Sequence, residues 1–236
     1  MKKCWILILM AGLCGMAQAS LEARIDLGAY DQTGLSGNWN TVGTIGGVTN
    51  LVDWNTGLQT TLGIINNNWT GTAGTDGWKA GQNLSWVNEK AANDYLFMAS
   101  DFMDSKTATI TLYGLTDGTQ YRLELVSSEN YWAIGNADIK AGGNWASSDY
   151  QGKYTSNIGQ NWNGQTAYND SNWLIWDSVY SSSGSIALTV TLPVGFGKVA
   201  TVNALRVEAV PEPASVMMIG LGGLLIVGYR RFYGRA

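Results

Sequence analysis

Thr107-Ala108-Thr109-Ile110-Thr111-Leu112, then Tyr113-Gly114-Leu115-Thr116-Asp117-Gly118-Thr119, then Gln120-Tyr121-Arg122-Leu123-Glu124-Leu125-Val126-Ser127 is the stretch that decides the fold class. The first run sets Ala108, Ile110 and Leu112 against three threonines, the period-two pattern of a half-buried strand. The last run sets Tyr121, Leu123 and Leu125 against Arg122 and Glu124 in the same way. The glycine-bearing middle reads as a turn, so the whole reads as an antiparallel pair. Working outward, Ser185 to Leu192 alternates again after a turn at Ser181 to Gly184, and Trp173 to Tyr180 precedes that turn. Ala23 to Gly28, Leu51 to Trp54, Leu58 to Ile65, Tyr95 to Met98, Ile134 to Lys140 and a final Thr201 to Glu208 complete the strands. Gly46 to Thr49 reads as a turn, and Asn66 to Asn83 as a long loop. Asn88 to Asp104 is the one stretch with a helical or mixed character. Eight or nine short strands with long loops predict an all-β, two-sheet β-sandwich of the jelly-roll kind.

Composition narrows the chemistry. The chain has 236 residues, with 30 glycines, 11 tryptophans and 11 tyrosines but only 14% charged residues. It has no histidine, and its two cysteines, Cys4 and Cys14, lie at the extreme N-terminus. No Ser-His-Asp or Cys-His triad and no Cys/His zinc site can be built in the body, and no disulfide can staple it. Of 14 basic and 18 acidic residues, five and one fall in the terminal segments; the body keeps nine and 17, a net charge of −8. Nucleic-acid binding draws on Lys and Arg at phosphates, so this balance argues against it.

The two ends carry addresses. Lys2 and Lys3, the apolar run Trp5 to Leu13 and Ala17-Gln18-Ala19 before Ser20 predict a secretory signal peptide over 1–19, cut after Ala19 by signal peptidase. A lipoprotein reading through Cys14 is the alternative, with Leu13 standing where such signals want a small residue. At the other end Pro211-Glu212-Pro213 precedes an uncharged stretch, 214–229, and the basic pair Arg230-Arg231. About 16 residues at 1.5 Å each reach ~24 Å, short of the ~30 Å hydrocarbon core, so this predicts a marginal transmembrane segment whose basic end stays inside. The expected organisation is a signal peptide at 1–19, an ectodomain at 20–209 and a C-terminal signal at 210–236.

Val210-Pro211-Glu212-Pro213-Ala214, the apolar stretch and Arg230-Arg231 resemble the PEP-CTERM sorting signal of Gram-negative, exopolysaccharide-producing bacteria. The resemblance implies export across the inner membrane and transient anchoring. It further implies recognition of Pro211-Glu212-Pro213 by an exosortase, then delivery to the cell surface or extracellular matrix. Leu115 to Leu123, Ser183-Gly184-Ser185-Ile186, Asn203-Ala204-Leu205-Arg206-Val207, Asp26-Leu27-Gly28 and Ser36 to Asn40 resemble galactose-binding-like jelly-roll modules of exported proteins. A fibronectin-type sandwich shares the Gly-Leu-x-x-Gly-Thr-x-Tyr turn, though the body is long for one such domain.

The functional lead is the aromatic-rich section from Glu129 to Asn172. Trp and Tyr faces stack on sugar rings while placed amides and carboxylates bond the hydroxyls. Trp132, Trp145, Tyr150 and Trp162, with Asn144 and Asn161 beside two of them, are the candidate glycan contacts; the competing reading is that these rings pack under loops. Asp76, Asp101 and Asp104 are candidate oxygen ligands for a structural calcium, the competing reading being solvated loop acids. No motif singles out a catalytic carboxylate pair of the kind a glycosidase needs. The expectation is a non-catalytic exported protein associated with polysaccharide. Its rivals are a ligand-free matrix component and a glycan-active enzyme.

Overall fold

The structure is a computed structural model that describes residues 20–28, 35–43, 46–73, 86–87, 91, 94–99, 104–127, 136–145, 153–155, 173–192, 194 and 199–211. Leu21–Ala209 form one compact unit. The expected signal peptide, 1–19, and the expected 214–229 membrane segment lie outside the described residues; among those described, no helix is long and apolar enough to cross a membrane.

Among the described residues, fifteen strands build the body. They are β1 (Glu22–Leu27), β2 (Trp39–Val42), β3 (Gly46–Val48), β4 (Gly63–Asn67), β5 (Gly71–Ala73), β6 (Tyr95–Ala99), β7 (Lys106–Tyr113) and β8 (Gln120–Val126). Then follow β9 (Asn136–Ala141), β10 (Asn144–Trp145), β11 (Lys153–Thr155), β12 (Trp173–Tyr180), β13 (Ser185–Leu192), β14 (Val199–Val202) and β15 (Ala204–Ala209). A five-stranded sheet runs β12-β8-β15-β1-β2. A larger sheet runs β10-β9-β13-β7-β4-β3, with β11 also on β9, and a three-stranded sheet runs β14-β6-β5. The fold is all-β, as expected. The inner faces of the two large sheets (Ile25, Leu123, Leu125, Leu205 and Val207 on one; Ile64, Ile110, Leu112, Leu188 and Val190 on the other) fuse into one buried core.

The pairing expected for the decisive stretch is not the one observed. β7 pairs with β13 and β4, whereas β8 pairs with β12 and β15. Gly114 to Thr119 is therefore an arch between sheets, not a hairpin turn. Leu115 is buried in it, and the Thr116 N–H donates to the Tyr121 hydroxyl at 3.1 Å. A second arch, Ser181 to Gly184, carries the chain from β12 to β13 and clasps the first. Leu115 N–H donates to the Gly184 carbonyl, Gly118 N–H to the Ser181 carbonyl and Ser181 N–H to the Thr119 carbonyl, at 3.0, 3.2 and 3.1 Å. Alternation between sheets at such arches gives the wrapping of a jelly roll.

Other expectations shift in detail. Leu51 to Trp54 contributes only an isolated bridge, Val52 to Gln59, with Leu51 and Asp53 bonding across to Leu62, Thr60 and Leu58 while the Asn40 side chain takes up the Val52 N–H and carbonyl on the other side. The strand expected over Leu58 to Ile65 begins at Gly63 and runs to Asn67, leaving Leu58 exposed. Gly46 to Val48 is a strand, and the long loop after Asn66 holds β5. The final strand divides at buried Asn203, whose N–H donates to the Val126 carbonyl and whose carbonyl accepts from Leu27. Val202 thus belongs to the small sheet and Ala204 onward to the five-stranded one.

On the outer face of the five-stranded sheet Glu22 and Glu124, both nearly buried, are held by arginines. Arg24 and Arg206 reach Glu22 at 2.8 and 2.9 Å; Arg122 and Arg206 reach Glu124 at 3.0 and 3.2 Å. Trp39, stacked 6.5 Å from Trp86, forms a small second core with Val126 and Ala204 on that face.

Candidate functional site

The outer face of the larger sheet carries the site. Ala141-Gly142-Gly143-Asn144 makes a two-residue hairpin, both glycines at positive φ (55° and 80°), which only glycine adopts readily. The turn folds β10 back on β9, placing Trp145 opposite Lys140. A bond from the Trp176 Nε1–H to the Asn144 carbonyl, at 3.0 Å, ties this short edge strand to β12. Trp145 is 40% exposed, and the Lys140 ammonium lies 4.4 Å from its ring centroid.

Register extends the row. Lys140 faces Thr189, Thr189 faces Thr109, and Thr109 faces Asn67. Trp145, Lys140, Thr189, Thr109 and Asn67 therefore form one line across five strands, roughly 19 Å at the usual ~4.8 Å strand spacing. The adjoining row is Asp138, Thr191 and Thr107, the last two hydroxyls 3.2 Å apart. This is an aromatic platform continued by hydroxyl, amide and charged groups. It can stack a ring at one end and bond hydroxyls along its length.

Of the residues singled out from sequence, Trp145 stands on this row. Asn144 is exposed, but strand alternation sets its side chain toward the opposite face from Trp145. Trp132, Tyr150, Asn161 and Trp162 lie outside the described residues. So do Asp76 and Asp101; Asp104 is exposed. Among the described residues no group of three or more His, Cys, Asp or Glu side chains could hold a metal. Ser20 and Pro211 are described, Pro211 exposed just past the last strand; Ala17, Ala19, Glu212, Pro213, Arg230 and Arg231 lie outside the described residues. Lys140, Thr189, Thr109 and Asn67 were not singled out from sequence. The Gly142-Gly143 pair was the available signal for the hairpin that sets the row's end.

A further buried group stands apart from this face. Asp26, on β1, is fully buried; burial, then the neighbouring Asp94 carboxyl, pushes its pKa up to about 9. Asp53 behaves oppositely: burial works to raise it, but bonds from the Glu22 N–H and from Thr56 outweigh that and hold it below the usual value.

The fold and this face define a β-sandwich with an exposed aromatic-polar row. Residues 209–231 match the PEP-CTERM protein-sorting motif, and the chain carries that sorting signal at its C-terminus. The signal marks the chain for export with transient membrane anchoring, and for exosortase processing. No curated protein matches the chain. Among solved structures it is similar to the ANX2 ectodomain from Arabidopsis thaliana, at 10% identity and TM-score 0.45, covering 82% of this chain and 50% of that one. It is similar to the YXIM protein of Bacillus subtilis at 12% identity and TM-score 0.40, over 80% of this chain and 40% of that one. A family 35 carbohydrate binding module from Clostridium thermocellum is similar at 15% identity and TM-score 0.30, over 61% of this chain and 90% of that one. The chain thus spans half or less of the length of the first two.

Proposed function

We propose that this is a non-catalytic, exported cell-surface protein whose larger sheet binds polysaccharide, the exopolysaccharide of the producing cell being the natural ligand. The observation that carries this reading is the exposed Trp145 at the head of a row of Lys140, Thr189, Thr109 and Asn67. A half-exposed indole on an edge strand contributes little to a core. It does offer the apolar plate that a sugar ring stacks against, with hydrogen-bonding groups in line. Binding of the purified protein to extracted exopolysaccharide is expected to fall at least tenfold in Trp145→Ala with no change in melting temperature.

A ligand-free matrix role is the second reading, favoured by Trp39, Trp54 and Trp86, which pack on one another rather than face outward. Unchanged binding in Trp145→Ala, or none in the wild type, selects that reading. Release of reducing sugar, abolished by one carboxylate substitution, would instead establish an enzyme.

A further inference from the structure

We propose that the Trp145 face selects polysaccharides whose sugar rings bear a carboxylate, with Lys140 as the group that meets it; the inference rests on the glycan-face reading above. Arg24, Arg122 and Arg206 are all held in ion pairs, with Glu22, Glu124, Glu208 and Asp177. Lys140 differs. No described carboxylate lies in ion-pair range, and its ammonium rests on the Trp145 indole. A cation on an aromatic face keeps its hydrogen-bond donors available for an incoming anion.

The neighbours give the anion its place. Thr189, Thr109 and Asn67, further along the row, are neutral and suit hydroxyls. Asp138 lies on the same face in the adjoining row, at the register position opposite Lys153 of β11. At the Trp145–Lys140 end a ring can stack on the indole while its carboxylate is neutralised by the ammonium. The body's net charge of −8 sharpens the requirement. A polyanion is repelled at long range, so retention needs a local cation.

The full chain, in detergent, is titrated with polygalacturonate and alginate and with their methyl-esterified forms. The wild type is expected to bind at least one acid form tenfold or more tighter than its ester. Lys140→Gln should abolish that preference, bringing acid and ester to equal affinity with the melting temperature unchanged, and Lys140→Arg should retain it. Equal binding of acid and ester by the wild type overturns the inference. So does a preference that survives in Lys140→Gln. If Trp145→Ala loses both forms in either case, the glycan-face reading stands alone. If Trp145→Ala loses neither, the reading itself fails and takes the inference with it.

Discussion

Asp26 keeps its proton in the folded chain. Its carboxyl is buried on the outer side of β1 beside that of Asp94, and its pKa rises from 3.8 to about 9. Gly28 permits the approach; a Cβ there would stand 2.7 Å from the Asp94 carboxyl carbon. Between 3.8 and about 9 the folded chain holds a proton that the unfolded chain has released. Stability therefore falls as pH rises through that window, at up to roughly 1.4 kcal/mol per pH unit. Below 3.8 both states are protonated and this group adds no dependence. Asp26→Asn removes the proton requirement at nearly constant shape. Urea denaturation is expected to show the variant more stable than wild type at pH 8, with the gap closing near pH 4. Asp26-Leu27-Gly28 was visible as a motif. Its partner was not, since Asp94 sits in a stretch whose mixed pattern announces no face.

At the scale of elements, the two arches show what periodicity holds and what it omits. Alternation states which side chains of a strand turn inward, and Ala108, Ile110, Leu112, Leu123 and Leu125 all do. It does not state which sheet receives the strand, because both inner faces want the same apolar residues. Connector length fails as a guide too, since Gly114 to Thr119 is short enough for a hairpin. The deciding interactions are distant in sequence: the clasp with Ser181 to Gly184 and the Leu115 side chain beneath it. Leu115→Ala should cost about 2–3 kcal/mol, through lost burial and the cavity left behind. Chemical denaturation measures it; a loss under 1 kcal/mol would mean the arch is not pinned from below. Trp145 was legible for a related reason, as an aromatic in a polar stretch. The rest of its row was not, because Lys140, Thr189, Thr109 and Asn67 meet only through the register of four strands.

For the molecule as a whole, the last strand is structurally central. β15 lies between β8 and β1, with six register pairs to one and five to the other. Its Arg206 bridges Glu22 and Glu124 across all three strands. A chain ending at Val210 should melt cooperatively, whereas one ending at Asn203 should lose the five-stranded sheet and its sigmoidal transition by circular dichroism. A cooperative melt from the shorter chain would show that β15 is dispensable. Any processing of the tail that leaves a working protein must therefore cut beyond Ala209. The same placement bears on mechanics. If the C-terminus is tethered while the larger sheet holds a polymer, the load passes through β15. Tension along that strand strains both flanking ladders together, in shear, so the hydrogen bonds must yield as a set, not one by one.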